Sequence, residues 1–329
     1  CIRDSVGPDE SKLDLVALDN LFAFAKETNS SGLVILHKGR VLAQRRWALE
    51  NPPMVATIGY RDVWHHGETP DGWAREDVAS TQKSVIAVLA GIARDKGILD
   101  FDKQVAEYLG PGWSQATAEQ EAAVTVRHLM SMTSGLSEKL EFVFPAGEDW
   151  AYINKAYSLV YDVIGAASGR DTRELSREWL TDPLGMTQSE WITRSEFFRQ
   201  WNMNGFVTTA PDLARFGLMI LAGGTWENKA IISQASLAEI LTSSSTFNPS
   251  YGLLWWLNGP HGWRWVRDKD ISPGKAISDA PDDLVMAAGT TERRDYVAPS
   301  LGLVVTRTGS TWKLDDDGNF DRSLDNDQK

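Results

Sequence analysis

The 329-residue chain contains one cysteine, Cys1, so no disulfide can form within it. A lone cysteine also excludes the paired CxxC spacing of structural zinc sites and thiol redox sites. Histidine is scarce as well: there are five, and none shows the HExxH or HxH spacing of zinc enzymes. The sequence therefore predicts a function that needs neither a metal nor another cofactor.

Positive charge and long apolar segments are also in short supply. The chain has 33 Lys and Arg against 45 Asp and Glu, which gives a formal net charge of -12 at pH 7. Such an acidic chain should repel nucleic acids and anionic membrane surfaces, and no apolar run approaches the length of a transmembrane helix. The 42% of hydrophobic residues suffices for one large globular unit or two lobes. The expected partner is therefore a small-molecule substrate.

The place of Cys1 at the start of the chain supports a hypothesis about location. Mature bacterial lipoproteins begin with a lipid-bearing cysteine, and the polar residues that follow would form an N-terminal tether over 1–12. This hypothesis predicts a lipid anchor at Cys1 and a location in the cell envelope or periplasm. The alternative is an arbitrary chain boundary, which leaves a cytoplasmic location open.

Apolar patterns predict strands near both ends of the chain and helices between them. The first strands fall within residues 32–47 and the last within 253–308, whereas residues 80–242 are mainly helical in pattern. The predicted fold class is α/β (α+β): an antiparallel sheet flanked by helices, with an inserted all-helical lobe. The predicted boundaries are residues 13–75 and 250–329 for the sheet-containing lobe and 76–249 for the mainly helical lobe.

The most informative segment begins at Ser80 and ends at Lys83, and it opens an apolar run over residues 84–93. A helix that is apolar nearly all round is expected to be buried, and residues three apart lie on one face. Burial and the positive helix terminus both favour the neutral form of Lys83. A neutral amine beside the Ser80 hydroxyl can accept its proton and turn it into a nucleophile. The alternative is a chance S-x-x-K on a surface helix.

A second motif, Tyr-x-Asn at Tyr152 and Asn154, follows later in the chain. Together with the S-x-x-K of Ser80 and Lys83, it resembles the first two motif boxes of the serine β-lactamase and DD-peptidase superfamily, in its esterase and class C β-lactamase branch. The resemblance extends over residues 32–309, because further landmarks of that family appear in the same order. These landmarks correspond to residues 129–136, 183–186 and 209–217.

The resemblance implies roles for the residues of both motifs. Ser80 would form a covalent acyl-enzyme, and Lys83 would be the base, or would hold the base in its ionised form. Tyr152 would relay a proton to and from the leaving group, and it would need a nearby cation such as Lys83 to act as a phenolate at neutral pH. Asn154 would donate its amide to a substrate carbonyl and keep Lys83 in place.

The third box of that family, Lys-Thr-Gly, corresponds here to Ala-Ala-Gly at residues 287–289, where the lysine is missing. The resemblance implies an oxyanion hole formed by the backbone N–H groups of Ser80 and Thr290. Gly289 would allow the strand to approach the substrate closely.

The missing lysine bears on the choice of substrate. In family members that bind penicillins or peptide stems, this lysine helps to neutralise the substrate carboxylate, so its absence favours uncharged esters or unusual amides. Arg293 and Arg294 follow just past the box, and either could reach back as a carboxylate clamp. Arg293 is the candidate substrate-binding residue, beside Asn154 and Gly289.

The predicted function is therefore that of a serine hydrolase, either a carboxylesterase or an unusual-amide hydrolase, that acts on small uncharged substrates. A β-lactamase or D-alanyl peptidase is the alternative within the family. An alternative of another class is a non-catalytic, penicillin-binding-like sensor or binding module, against which the intact Ser80, Lys83 and Tyr152 argue. A Ser-His-Asp hydrolase would need a G-x-S-x-G motif, and the chain has none.

Overall fold

The computed structural model describes residues 14–49, 53–55, 58–196, 202–310, 313–314 and 320–321. Cys1 and the predicted tether over residues 1–12 lie outside these ranges. Within them, no helix is long and apolar enough to cross a bilayer.

Helices and strands are distributed along the whole of the described chain. The α-helices are α1 (Leu15–Glu27), α2 (Tyr60–Trp64), α3 (Gln82–Asp95), α4 (Ala106–Leu109), α5 (Ala118–Ala122), α6 (Val126–Met130), α7 (Asn154–Ser168), α8 (Thr172–Ser176), α9 (Asp182–Leu184), α10 (Ala210–Leu221) and α11 (Gln234–Ile240). The strands are β1 (Ser30–His37), β2 (Arg40–Arg46), β3 (Pro53–Val55), β4 (Ile58–Gly59), β5 (His65–Glu68), β6 (Ala74–Asp77), β7 (Glu190–Thr193), β8 (Asn204–Thr208), β9 (Thr225–Trp226), β10 (Lys229–Ala230), β11 (Trp256–Leu257), β12 (Val285–Gly289), β13 (Arg293–Ala298), β14 (Leu303–Gly309), β15 (Lys313–Leu314) and β16 (Phe320–Asp321). Short 3-10 turns cover Ala79–Thr81, Thr290–Glu292 and Pro299–Leu301, and a π-helical turn covers Arg177–Thr181.

The predicted antiparallel sheet is confirmed, and it joins strands from the two ends of the chain. Its order is β11-β12-β13-β14-β1-β2, and all neighbouring strands are antiparallel. Alternate residues of β1 pack on opposite faces of the sheet. Leu33 and Ile35 pack against α1, whereas Val34 and Leu36 belong to the main hydrophobic core, which includes α10. The sheet is therefore covered on both faces, and the predicted fold class is confirmed.

Helix α3 lies at the centre of the helical part of the molecule. Each of its residues from Gln82 to Ala93 is buried, as its nearly all-round apolar sequence predicts. Helices α7 and α11 pack against it. Gly91 permits this close packing, because a Cβ at that position would lie only 2.5 Å from Ile232 Cδ1 and 2.9 Å from Ile240 Cδ1.

A second antiparallel sheet, of order β5-β6-β8-β7, differs from the prediction. Its strands lie in segments whose sequence predicts irregular or helical structure. Strand β6 shows the reason, because its Glu76 and Asp77 are only 0% and 1% exposed and each is paired with an arginine. Charged residues are rarely buried unless they are paired, and a local sequence pattern does not reveal a distant partner. The lobe boundaries at residues 76 and 250 stay a prediction.

Candidate active site

Ser80 lies on a sharp turn between strand β6 and helix α3. The residue before it, Ala79, has a left-handed backbone with φ of 51°, a conformation that costs a residue with a Cβ roughly 1–3 kcal/mol. Asp77 stabilises the turn: its carboxylate accepts the Ala79 N–H at 2.9 Å and pairs with Arg194 at 2.6 and 2.7 Å. Ser80 is partly exposed there, whereas the residues on either side of it are buried.

Lys83 lies one helical turn after Ser80, with its amine beside the serine hydroxyl. Nζ is 2.8 Å from Ser80 Oγ and 2.9 Å from Asn154 Oδ1, and the residue is only 2% exposed. The amine also lies over the rings of Tyr152 and Tyr157, at 4.5 and 4.1 Å from their centroids. Two polar groups and two aromatic faces therefore enclose the amine.

The surroundings of Lys83 favour its neutral form. Burial holds the pKa of Lys83 well below its ordinary value, because an ammonium ion loses its hydration there. The positive charge of Arg194 lowers this pKa further, and the carboxylate of Glu138 raises it in part. Glu138 accepts its hydrogen bonds from Asn154 and the backbone of Lys155 rather than from the amine. A neutral amine is the form that can accept a proton from Ser80.

Tyr152 is the third group at this site, and its side chain is hydrogen-bonded to Ser80. Burial raises the pKa of Tyr152 above that of free tyrosine, while the bond to Ser80 and the charge of Arg294 lower it in part. Burial therefore disfavours the phenolate that the family resemblance implies, and it also disfavours the charged form of Lys83, the cation that would stabilise that phenolate. At neutral pH, Tyr152 is a phenol that can donate a proton.

Glu138 organises the start of helix α7, a role that nothing in the sequence indicates. Its Oε1 accepts from the backbone N–H of Asn154 at 2.8 Å and from Asn154 Nδ2 at 3.1 Å, and its Oε2 accepts from the backbone N–H of Lys155 at 3.0 Å. The residue at the N-cap position, Ile153, has no side-chain oxygen to cap the helix. Glu138 supplies the cap instead, and it turns the carboxamide oxygen of Asn154 towards Lys83.

Gly289, at the end of β12, packs directly against the turn that carries Ser80. A Cβ at this position would lie 2.5 Å from the carbonyl oxygen of Val78 and 2.8 Å from Thr81 Oγ1, so only glycine permits this approach. Thr290 follows at once and is exposed. The end of β12 and the turn that carries Ser80 are thus in contact.

Arg293 does not reach the cleft, which corrects the expectation that it binds substrate. Its side chain is fully buried, with Nη2 3.8 Å from Glu76 Oε2, and its guanidinium lies 4.6 Å from the centroid of the Trp64 ring. Nη1 donates to the carbonyl oxygen of Thr290 at 3.0 Å and to Thr291 Oγ1 at 2.5 Å. Successive strand residues point to opposite faces, and the register of β13 turns Arg293 into the interior.

Arg294, the next residue, is the arginine that acts on the site. It is 6% exposed, and its charge contributes to the pKa of Tyr152. Its Nη1 donates to the carbonyl oxygen of Gly289, and its Nη2 donates to Glu292 Oε1 at 2.9 Å. Arg294 therefore binds the end of strand β12, and its charge acts on Tyr152.

Aromatic side chains form a continuous cluster beside Tyr152. Trp256 stacks on Tyr152 with ring centroids 6.1 Å apart, and Trp265 contacts Trp256 edge-on at 4.2 Å. Trp150 and Tyr251 are buried in the same cluster, 5.4 Å apart. Trp265 is partly exposed, so this aromatic cluster presents an apolar surface near the tyrosine.

The structure brings together most of the residues that the sequence singles out. Lys83 contacts Ser80, Tyr152 and Asn154, Tyr152 is hydrogen-bonded to Ser80, and Gly289 packs on the turn that carries Ser80. In the part of the chain that the structure describes, no cluster of His, Cys, Asp and Glu is arranged to hold a metal ion.

Comparison with known proteins gives this geometry a family. A family model described as Beta-lactamase matches residues 18–274, which is most of the chain. The chain belongs to the beta-lactamase family.

Solved structures and one sequence relative extend the comparison of this beta-lactamase family member. A putative beta-lactamase from Bacteroides dorei shares 17% identity at a TM-score of 0.69, over 93% of this chain and 94% of that chain. A putative 6-aminohexanoate-dimer hydrolase from Bacillus anthracis shares 15% identity at a TM-score of 0.65, over 88% of this chain and 76% of that chain. An uncharacterized protein of Alkalihalophilus pseudofirmus is 22% identical over 258 residues, 70% of this chain and 71% of its own length. These likenesses establish the fold, and the structural neighbours include a hydrolase.

Proposed function

We propose that this protein is a serine hydrolase that works through an acyl-enzyme on Ser80 and acts on small, uncharged esters or amides. The observation that carries the proposal is the 2.8 Å contact between Lys83 Nζ and Ser80 Oγ inside a buried site. A buried amine with a lowered pKa is a base, and a serine beside a base is an activated nucleophile. A module that only bound its ligand would have no need of this pairing.

In the acylation step, Lys83 accepts the proton of Ser80 while Oγ attacks the carbonyl carbon of the substrate. The backbone N–H groups of Ser80 and Thr290 bind the oxyanion that forms. When the tetrahedral intermediate collapses, the bond to the alcohol or amine breaks. Tyr152 donates its proton to that leaving group and regains one from the Lys83 ammonium. The products are the free alcohol or amine and an ester on Ser80.

Deacylation uses the same groups with water as the nucleophile. Neutral Lys83 accepts a proton from water through Tyr152, and the resulting hydroxide attacks the acyl carbonyl. The bond to Ser80 Oγ breaks, the serine regains its proton from Lys83, and the carboxylic acid leaves. Asn154, held by Glu138, keeps the amine in position through both steps.

The charge and shape of the surroundings support an uncharged, apolar substrate. Arg293 is buried against Glu76, and Arg294 is engaged by Glu292 and by the backbone. A substrate carboxylate would lose its hydration in the cleft, a cost that only a cation facing it could offset. The aromatic cluster next to Tyr152 instead favours an apolar acyl or leaving group.

A β-lactamase or D-alanyl peptidase is the second candidate, and the family match over residues 18–274 is the observation that favours it. These substrates carry a carboxylate, so this candidate requires Arg294 to turn from Glu292 towards the cleft. One structural neighbour is named a 6-aminohexanoate-dimer hydrolase, and it supports the use of this fold on substrates other than lactams.

The proposal is tested by covalent labelling with a fluorophosphonate, followed by peptide mass spectrometry. The expected adduct is on Ser80, and Ser80→Ala should lose both labelling and turnover of p-nitrophenyl butyrate while it stays folded. Ser84→Ala is the matched control, because Ser84 lies in the same helix and its hydroxyl bonds the backbone of Leu254 at 2.9 Å. An adduct on another serine, or full turnover by Ser80→Ala, would overturn the proposal.

A further inference from the structure

The turn between β12 and β13 has an unusual backbone, and it carries the proposed oxyanion donor Thr290. The two residues after Thr290 are left-handed, Thr291 with φ of 63° and Glu292 with φ of 62°, although neither is glycine. Left-handed backbone is disfavoured for residues with a Cβ, most of all for a β-branched threonine. Such a turn persists only when its surroundings hold it, so the groups that hold it determine where the Thr290 N–H points.

Two arginines hold the turn from different sides. The buried Arg293 donates to the carbonyl oxygen of Thr290 at 3.0 Å. Arg294 donates through Nη1 to the carbonyl oxygen of Gly289 and through Nη2 to Glu292 Oε1 at 2.9 Å. One guanidinium thus joins the residue before the oxyanion donor to the left-handed residue after it.

The bond from Arg294 to Gly289 acts on the oxyanion donor itself. The carbonyl of Gly289 and the N–H of Thr290 belong to one planar peptide unit, in which they point in opposite directions. A cation bound to the carbonyl fixes the orientation of the whole plane. It also draws electron density from the peptide, which makes the opposite N–H a stronger donor.

We infer that Arg294 is a positioning residue for the oxyanion hole: it orients and polarises the peptide between Gly289 and Thr290, and so strengthens the binding of the transition-state oxyanion by Thr290. This inference rests on the proposed function. Arg294 does not contact the substrate in this role and acts through the backbone. Its charge also lowers the pKa of Tyr152 in part, so the guanidinium acts electrostatically on the proposed proton donor as well.

The inference is tested with Arg294→Gln, by comparing its effect on substrate binding in the ground state with its effect on binding of the transition state. The kcat and KM for p-nitrophenyl butyrate are measured together with the affinity for phenylboronic acid, which forms a tetrahedral adduct on an active-site serine. Loss of a whole oxyanion donor costs about 100-fold or more, so a misdirected donor should cost roughly 10-fold or more in both kcat and boronate affinity. KM should stay nearly unchanged.

Arg94→Gln is the control for loss of an arginine that is also ion-paired but lies elsewhere. Arg94 bonds Ser236 and Glu239 on helix α11 and makes no contact with the turn. The control should alter stability alone. A merely structural Arg294 would behave in the same way, so unchanged boronate affinity in folded Arg294→Gln would overturn the inference.

If Arg294→Gln does not fold, Arg294→Lys tests the positioning role instead. One ammonium nitrogen cannot replace two guanidinium nitrogens that reach Gly289 and Glu292 separately, so boronate affinity should fall about 3-fold or more. Wild-type boronate affinity in Arg294→Lys would contradict the inference. Labelling of Ser80 in the wild-type protein distinguishes failure of the proposed function from failure of the positioning role. If the wild type is not labelled, the proposed function fails. If the wild type is labelled and the Arg294 variants keep wild-type boronate affinity, only the positioning role is refuted.

Discussion

Glu138 accepts hydrogen bonds from both nitrogens of Asn154, from the backbone N–H at 2.8 Å and from Nδ2 at 3.1 Å. The carboxamide is thereby fixed with its oxygen 2.9 Å from Lys83 Nζ. A carboxylate that caps a helix thus also positions the proposed base, and its charge partly offsets the lowering of the Lys83 pKa by burial.

Replacing Glu138 by Gln should move the acid limb of the pH profile of kcat/KM to lower pH. Lys83 must be neutral to act, so the limb reports its pKa, which the Glu138 charge raises. The helix cap also weakens, at a cost of about 1 kcal/mol in the free energy of unfolding. Glu141→Gln, an exposed acid nearby, is the control. A limb that stays in place or moves up in pH would contradict the role of Glu138.

Lys83→Ala should lower kcat by about 100-fold or more, because general-base catalysis typically contributes that much. Lys83→Arg should not restore the rate, since a guanidinium stays charged and cannot accept the Ser80 proton. Steady-state kinetics with p-nitrophenyl butyrate measures both, and Lys96→Arg serves as an exposed control. Near-normal turnover by Lys83→Arg would show that position 83 needs only a cation.

Tyr152 and Tyr157 both contact the Lys83 amine with their rings, but loss of their hydroxyls should affect different properties of the protein. Tyr152→Phe should lower kcat by about 100-fold or more, because its phenol is the proposed proton donor. Tyr157→Phe should mainly lower stability, by about 1–3 kcal/mol, because the amide nitrogens of Gln82 and Asn202 lose the hydroxyl that they bond at 2.9 and 2.5 Å. Urea unfolding and kinetics on both variants distinguish the roles. Equal losses of kcat would refute the distinction.

Asp295 makes stability depend on pH in the opposite sense to most carboxyl groups. Burial raises the pKa of Asp295 to about 8, although Thr306 donates a hydrogen bond to it at 2.6 Å. Between about pH 4 and pH 8, the unfolded chain has released the proton that the folded protein retains. The free energy of unfolding therefore falls by about 1.4 kcal/mol for each unit by which the pH rises.

Asp295→Asn cannot ionise and should remove this dependence. The variant should be more stable than wild type at pH 8, and its advantage should shrink towards pH 4. Urea unfolding at pH 4, 6 and 8 measures the difference, with Asp19→Asn as the exposed control. A difference that does not change with pH would contradict the raised pKa.

Turnover should favour p-nitrophenyl butyrate over nitrocefin in kcat/KM measured on one preparation. The nitrocefin carboxylate must leave water, and the arginines past the third box are engaged by Glu76 and Glu292. A clear preference for nitrocefin that is lost in Arg294→Gln would instead make this protein a lactamase with a relocated carboxylate site.

The sequence predicts the main sheet and singles out residues that the structure brings together around Lys83. Helix α3 is apolar nearly all round, so its burial and the enclosure of Lys83 follow from local pattern alone. Tyr152 and Asn154 were recognisable because the motif fixes their spacing. The six-stranded sheet follows from apolar strands grouped at the two ends of the chain.

The features that the sequence did not predict depend on contacts between distant segments. Glu138 lies in an irregular stretch, and nothing near it in sequence indicates that it caps helix α7. Arg293 and Arg294 are adjacent, and only the strand register determines which of them pairs with Glu76 in the interior and which binds Gly289 and Glu292. An aspartate is expected at the surface, and the burial of Asp77 is explained only by its pairing with the distant Arg194.

The complete burial of α3 links the proposed chemistry to the cooperativity of the whole fold. A helix enclosed on every side can expose its amides only when the surrounding core opens, so these amides should be among the slowest in the protein to exchange with deuterium. Lys83, the proposed base, is part of that helix, and Ser80 lies two residues before the helix begins. Denaturant should therefore abolish activity at the same midpoint at which the core itself unfolds, with no inactive but folded stage before it.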